Sequence, residues 1–458
     1  MPPSELVWRD QKVHLRTAVP GPKSLALRAR EDAHVAPGLQ GYALLSGIAV
    51  DHAAGSAVTD VDGNTYLDVI GGIGVGALGH SHPKVVEAIT RQVAKVSVGS
   101  FTSEARTLLT ERVAAHAPAQ GVHRLQLYTS GAEAVESALR LAKSHTGKYE
   151  FVSFWGGFHG KTLGALSLLG SGGKVGLGPM ASGAHQIPYA DCYRCPLKLQ
   201  HPACGVACVD VGRKQLKAAS TGRIAAFIVE PMQGTAGNLV PPDDFLLAVR
   251  QLADENDALL IADEMITGFG RTGRYWGIEH SGVRPDIVTL GKAFGGGFPL
   301  SGLLTTDAIS SAKPWSNPSG SSSSYGGNAL GAAAGVAALG AIDDEGLVEN
   351  ARRVGAALLG MLQPFVDDYP FVGHVNGRGM FLGLELVRDR VTKEPLSRAA
   401  TERIFHELLR RGLLTMGYAP SFRLQPALTM DEATARNAVA ILREVFDLVK
   451  RTEQWRAP

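Results

Sequence analysis

This chain is short of the features that mark several protein classes. Neither sign of charge dominates: 45 basic and 43 acidic residues give a formal net charge of +2, which leaves no electrostatic footprint for nucleic acid or an anionic membrane. No stretch reaches the roughly 18 uninterrupted apolar residues of a spanning helix. The opening Met-Pro-Pro-Ser-Glu-Leu-Val-Trp-Arg-Asp lacks the apolar run of a secretory signal. The expectation is small-molecule chemistry in a soluble, cytoplasmic protein, with no nucleic-acid or membrane partner. Cysteine is absent except in one short stretch, where Cys192, Cys195, Cys204 and Cys208 all fall. In a reducing cytosol that grouping favours a metal knot over disulfides, yet the spacing is tighter than in usual zinc modules and nothing else demands a metal. Structural thiols in a loop are the leading reading, and no metal ligand is assigned.

What is present is an ordinary core and much glycine. With 458 residues, 45% hydrophobic and 19% charged, the chain can bury a substantial core and divide into two domains. The 55 glycines cluster at turns, as at Gly71 to Gly79, Gly156 to Gly160 and Gly295 to Gly297, where backbone can approach a ligand closely. Apolar runs of strand length alternate with helix-like stretches: Leu125 to Tyr128, Phe151 to Phe154, Ala225 to Val229, Ala258 to Ala262 and Ile287 to Leu290. Continuous aliphatic runs are buried on both faces, as in parallel sheets covered by helices. An α/β domain over 65–330 follows, with a mostly parallel sheet between helices. A smaller α+β domain over 331–458 is expected from helical periodicity at Asn350 to Phe365 and Ala399 to Arg411, around the strand-like Met380 to Leu386. Residues 1–64 end in a strand–turn–strand signal that continues to Asp68, and are expected to pack with it. Ser316 to Ser324 is serine-rich in the manner of a linker.

Three predicted strands end in a polar residue: Glu230 after Phe-Ile-Val, Asp263 after Leu-Leu-Ile-Ala, and Lys292 after Val-Thr-Leu-Gly. Ligands of open α/β sheets sit outside the carboxyl ends of strands, so these side chains can converge on one crevice. Lys292, against the glycine-rich Ala293-Phe-Gly-Gly-Gly297, reads equally as a structural lysine or as an amine held where it can attack an aldehyde. A fourth strand runs into Thr129-Ser-Gly-Ala, where Ser130, Gly131 and Ala132 open a helix whose free N–H groups make a phosphate site. With the turn Trp155-Gly-Gly-Phe-His-Gly160, these are the parts needed to hold pyridoxal 5′-phosphate: a lysine for its aldehyde, a carboxylate for its ring nitrogen, an aromatic face and an anion cradle. His159 reads as a supporting residue in that turn. The pair His80-Ser-His82 reads as a turn and helix start, not as metal ligands.

The run Asp263-Glu-Met-Ile-Thr-Gly-Phe-Gly-Arg-Thr-Gly273, followed by Pro285-Asp-Ile-Val-Thr-Leu-Gly-Lys292, resembles the class III pyridoxal-phosphate aminotransferases of fold type I, which include 4-aminobutyrate, ornithine and acetylornithine aminotransferases. The likeness runs from about Gly21 to Leu428. Pro20-Gly-Pro-Lys-Ser24 and Cys192-Tyr-Arg-Cys-Pro196 are similar to a subgroup that also contains broad-specificity amino-acid racemases. The resemblance implies Lys292 as the cofactor-binding lysine and proton shuttle, and Asp263 as the partner of the ring nitrogen. It implies Ser130, Gly131 and Ala132 at the phosphate, Phe158 stacked on the ring, Met265 beneath it and Glu230 at the site. It places Ser324, in Ser-Tyr-Gly-Gly-Asn328, at the phosphate of a second subunit, which implies a homodimer with shared sites and argues against a mere linker.

On the substrate side the resemblance assigns Ile73, Lys161 and Arg423, with departures. Relatives acting on 4-aminobutyrate or ornithine carry Arg at position 161; a lysine supplies charge without the bidentate fork. Arg423 matches the arginine that takes an α-carboxylate. Thr235 stands where relatives place a Glu that pairs with that arginine, and Ile266 where many carry Gln. Ile73 argues against ornithine. The implied activity is amino transfer from an amine or ω-amino acid to a 2-oxo acid such as pyruvate or 2-oxoglutarate. The alternative is an amino-acid racemase or 2-epimerase of the same fold.

Overall fold

The computed structural model describes residues 9–417 and 419–456; most of the N-terminal stretch read for a leader therefore lies outside the described residues. The chain forms two compact units, one of residues 84–348 and one assembled from both ends, 1–83 and 349–458. The sequence reading put these edges at 64/65 and 330/331. The first edge falls later because His80 bonds back to Asp68 (Nε2 to Oδ2, 2.9 Å) and bridges Gly55, tying the glycine-rich stretch to the N-terminal strands. The second falls later because the helix Ala329–Asp344 packs on the helix Glu104–Ala115 of the larger unit.

The unit built from both ends has a four-stranded and a three-stranded sheet. Strands β1 (Val50–Ala54), β2 (Ala57–Asp60) and β3 (Thr65–Asp68) form an antiparallel run. The β2–β3 turn is fixed by Asp60, whose carboxylate accepts the N–H groups of Asp62 and Asn64 and the Tyr66 hydroxyl.

The larger unit carries β4 (Arg124–Tyr128), β5 (Glu150–Phe154), β6 (Ala184–Ile187), β7 (Ile224–Val229), β8 (Leu259–Asp263), β9 (Ile287–Leu290) and β10 (Ser301–Thr305) in the order β4-β10-β9-β8-β7-β5-β6. All pairings are parallel except those of β10, which runs antiparallel to both β4 and β9. Residues of β7 and β9 are buried throughout, as continuous apolar runs require when helices cover both faces. Strands β6 and β10 escaped the sequence reading: Ala-His-Gln-Ile and Ser-Gly-Leu-Leu-Thr are short and carry weak β signals.

The C-terminal part returns to the first unit. Strands β11 (Val372–Arg378), β12 (Phe381–Leu386) and β14 (Ser421–Leu424) form the three-stranded antiparallel sheet, while β13 (Leu413–Leu414) pairs parallel with β3. The helix Glu432–Arg451 buries Leu442, Val445, Phe446 and Val449 on one face, and Asp431 caps its start by accepting the Thr434 N–H.

Candidate active site

In the larger unit the carboxyl ends of β5, β7 and β8 bring Phe158, His159, Glu230 and Asp263 into one hydrogen-bonded cluster, and Lys292 follows the end of β9. Asp263, the last residue of β8, is 1% exposed and accepts three hydrogen bonds. Its Oδ2 takes one from His159 Nδ1 at 2.6 Å; its Oδ1 takes those of the Thr289 hydroxyl at 3.0 Å and the Met265 N–H at 3.2 Å. Thr289 lies on β9 directly opposite Asp263, so the sheet register itself delivers that donor. Burial pushes the His159 imidazole down, but the hydrogen bond and charge of Asp263, with Glu230 beyond, outweigh it and hold the group above its ordinary value.

Glu230, just past β7, joins two turns. Its Oε1 accepts the Phe158 N–H at 2.9 Å and its Oε2 the Gly234 N–H at 3.0 Å, while the Tyr189 hydroxyl donates to its backbone carbonyl. Burial raises its carboxyl, the neighbouring His159 lowers it and Asp263 raises it again, leaving it above the ordinary range. The Trp155-to-Gly160 turn is further tied by Gln233, which donates to the Trp155 carbonyl, and by Gly170, whose backbone pairs with Gly156 and Gly157. Gly160 has φ 139°, and a Cβ there would stand 2.8 Å from the Cβ of Ala132, so this turn lies against the start of the helix Gly131–Thr146.

That helix is capped by the Ser130 side chain, which accepts the Glu133 N–H, and the Ser130 carbonyl accepts from the Ser301 hydroxyl of β10 at 2.7 Å. Met265 joins it to the lysine. A Cβ on Gly131 would lie 2.9 Å from the Met265 sulfur, and one on Gly291 only 2.6 Å from it. The thioether is thus wedged between the helix start and the residue before Lys292. Lys292 itself has φ 45°, a left-handed conformation uncommon outside glycine and characteristic of functional turns.

The other candidate residues are placed as follows. Ser130 and Lys161 are exposed; Gly131, Ala132, Phe158 and Met265 are half-buried. Ser324 is exposed in the single chain, but its segment is no loose linker. Tyr128 bonds Ser321, Arg140 donates to the Gly320 carbonyl, and Trp315 donates to Ser137. Arg423 and Ile73 belong to the unit built from both ends. Arg423, on β14, is 8% exposed and directs Nη2 at the Met416 sulfur, 2.8 Å away. Ile73 has φ 65° and ψ 51°, a strained conformation for a β-branched residue.

Sequence reasoning missed Thr289, Ser301, Gln233 and Tyr189, whose roles depend on register and on turns folding back. It also missed Glu264, which follows Asp263, is fully buried and accepts the N–H groups of Gly277 and Ile278 and the Thr267 hydroxyl. Burial pushes that carboxyl up to about 7. Burial likewise pushes the Cys192 and Cys208 thiols up to about 11, which makes them poor nucleophiles. Among the described residues no helix is long and apolar enough to cross a membrane.

A buried strand-end carboxylate, and a thioether wedged between a bare-backbone helix start and the residue before a left-handed lysine, are residue types that fit pyridoxal phosphate. Comparison with known proteins points the same way. The aminotransferase class-III family pattern matches residues 41–446. The chain is 34% identical over 422 residues to the diaminobutyrate–2-oxoglutarate aminotransferase of Rhizobium meliloti, covering 88% of this chain and 89% of that protein. It is 32% identical over 392 residues to a leucine/methionine racemase of Thermococcus litoralis, covering 83% and 86%. An amine transaminase from an uncultivated Pseudomonas species, solved with pyridoxal phosphate bound, superposes with a TM-score of 0.85 at 31% identity, over 90% of this chain and 98% of that one.

Proposed function

The chain belongs to the class III aminotransferases, and on that premise we propose that it moves an amino group from an amine or ω-amino acid to a 2-oxo acid such as pyruvate or 2-oxoglutarate, with pyridoxal 5′-phosphate as cofactor. The observation that carries this reading is the Asp263 cluster, with Met265 joining the helix start to the lysine turn. The cofactor supplies an aldehyde for the amine and an electron-poor ring for the electron pair of a broken Cα–H bond. Lys292 Nζ holds the cofactor and carries the proton. Asp263 is the acceptor for a ring N–H: a carboxylate has about four acceptor sites, and three are filled. The N–H groups at Gly131 and Ala132 receive the phosphate, and Phe158 and Met265 flank the ring. Lys161 and Arg423 are the carboxylate clamps, and Ile73 shapes the donor pocket.

The reading includes a cytoplasmic homodimer in which Ser324 reaches the other subunit's phosphate. Exposed apolar side chains support it: Val93, Val96, Val98 and Phe101 follow one another closely in the chain, and they and Tyr325, next to Ser324, are all more than 40% exposed in the single chain.

Racemisation is the second reading, favoured by the racemase relative and by Thr235 standing where a glutamate would pair with the arginine clamp. The same Cα proton returned to the opposite face inverts the centre and transfers nothing. A donor panel with pyruvate and 2-oxoglutarate, run beside a chirality assay on single amino acids without any 2-oxo acid, separates the two. Transfer dependent on acceptor is expected; inversion without acceptor establishes the racemase.

A further inference from the structure

The segment that ends in Ser324 is gripped by one face of the helix Gly131–Thr146 and by the end of the strand before it. Glu133, Ser137 and Arg140 stand four and three residues apart, which puts them on one side of that helix. Each of them meets the segment. Arg140 Nη1 donates to the Gly320 carbonyl at 3.0 Å, Ser137 Oγ accepts the Trp315 indole N–H at 3.0 Å, and the Ser323 hydroxyl bonds the Glu133 carboxylate. Glu133 Oε2 also accepts the Thr129 N–H at 3.0 Å and the Thr129 hydroxyl at 3.1 Å, so one carboxylate joins the segment to the turn that opens the helix. Burial raises that carboxyl, and these hydrogen bonds outweigh it and hold it below its ordinary value.

Tyr128, the last residue of β4, completes the grip. It is 1% exposed, and its hydroxyl, with one proton and two lone pairs, is fully used. The proton goes to the Ser321 carbonyl at 3.0 Å, since a carbonyl can only accept. The lone pairs take the hydroxyls of Ser321, at 2.7 Å, and of Ser137. Past Ser324 the chain returns to the same strand: a Cβ on Gly326 would stand 2.3 Å from the Leu127 carbonyl oxygen. The backbone is therefore fixed on both sides of Ser324, which is itself exposed.

We propose that Tyr128 is a positioning residue for phosphate binding, whose hydroxyl fixes Ser324 where it can reach the cofactor of a second copy of this chain. The proposal rests on the homodimer reading given above. On that reading each subunit makes two contributions to phosphate binding, the N–H groups at Gly131 and Ala132 for its own site and Ser324 for its partner's. Both rest on the exit of β4 and the first turns of one helix. Tyr128→Phe keeps the ring and removes the hydroxyl, and with it both bonds to Ser321.

The test is a double-mutant cycle on the full-length protein stripped of cofactor. Wild type, Tyr128→Phe, Ser324→Ala and the double variant are titrated with pyridoxal 5′-phosphate and with pyridoxal, which lacks the phosphate. Ser324→Ala is expected to weaken binding of the phosphorylated cofactor roughly tenfold or more, as loss of a hydrogen bond to a charged group implies. Tyr128→Phe is expected to weaken it severalfold, and the double variant no further than Ser324→Ala alone. Pyridoxal is expected to bind all of them equally. If Tyr128→Phe does not fold, Ser321→Ala takes its place in the cycle. Additive losses, or an equal loss for pyridoxal, would show Tyr128 acting on the fold or on the helix start; either result overturns the proposal and leaves the place assigned to Ser324 standing. So does an unchanged affinity in Tyr128→Phe. If Ser324→Ala binds the cofactor as wild type does, the assignment of Ser324 is what fails, and the proposal falls with it.

Discussion

Three different segments hold Asp263: the Trp155 turn through His159, β9 through Thr289, and its own strand's exit through Met265. His159→Phe keeps the ring's bulk and removes the Oδ2 partner. A hydrogen bond to a charged group contributes about 1.5–3 kcal/mol, so turnover should fall roughly ten- to a hundredfold and its pH profile should shift. The measurement is kcat across pH for wild type, His159→Phe and Asp263→Asn; an unchanged profile in the histidine variant would show that the carboxylate works without it. On the proposed function, Lys292→Ala removes anchor and proton carrier together. It should lose at least roughly a hundred- to ten-thousandfold in turnover while still binding cofactor through the helix start. Near-normal activity would remove Lys292 from the mechanism. The two proposed clamps are distinguished by substrate: Arg423→Ala should raise KM for the 2-oxo acid by an amount equivalent to about 2–5 kcal/mol and leave a simple primary amine nearly unaffected. Lys161→Ala should weaken carboxylated donors selectively. Equal losses for pyruvate, 2-oxoglutarate, a simple amine and an ω-amino acid would show that neither residue is a clamp.

At the scale of elements, the turns that aim these side chains depend on backbone contacts with no spare room. A Cβ on Gly170 would meet the Phe154 carbonyl oxygen at 2.0 Å and the Gly156 and Gly157 nitrogens at 2.7 and 2.8 Å, all of them backbone atoms that cannot rotate away. Gly170→Ala should therefore destabilise the protein by at least about 1–3 kcal/mol and loosen the Phe158 turn, which denaturant melts and cofactor retention would report. What could be read from the sequence follows the same division. Strands β7, β8 and β9 read as largely apolar runs, and the polar residues at or just past their ends stand out by contrast, which is why the sequence singled out Glu230, Asp263 and Lys292. The Ser130 cap was legible as well, because a serine after a strand and before a helical pattern has few other uses. Strand β10 was not, since Ser-Gly-Leu-Leu-Thr gains its place from two neighbours found only in three dimensions. Glu264 was hidden for a related reason: nothing in Asp-Glu-Met tells which carboxylate meets His159 and which caps the Gly277–Ile278 backbone.

For the whole molecule, the buried acids set a pH dependence. The folded value of Glu264, about 7, lies above its ordinary 4.5. Between about pH 5 and 7 the unfolded chain has released that proton while the folded chain keeps it, so its contribution is complete below the ordinary value and is lost as pH rises through 7. Glu230 and His159 are raised as well, and act in the same direction. Asp62, Glu133 and Asp431 are lowered by hydrogen bonds against the opposing effect of burial; their contribution is present above the ordinary value and is lost on acidification. Stability should accordingly pass through a maximum in weakly acidic solution. Glu264→Gln should flatten the decline toward neutral pH, at a cost of about 1–3 kcal/mol for an amide placed among backbone donors. Urea melts over that range check both; an unaltered slope in the variant would assign the decline to other groups.

The place of β10 bears on how the enzyme is made. Ribosomes deliver β4 through β9 in chain order, and Asp263 and Lys292 both exist once β9 and its exit have emerged. The strand that joins β4 to β9, and whose Ser301 hydroxyl secures the Ser130 carbonyl, is synthesised last of the seven. Until Thr305 has left the exit tunnel, the helix start at Gly131 has no lateral connection through the sheet to the strand that leads to Lys292. On the proposed function, the Met265 contact alone would then have to hold the two together, and a nascent chain arrested before β10 is expected to take up pyridoxal phosphate more weakly than one arrested well beyond it, as the visible absorbance of the two would report.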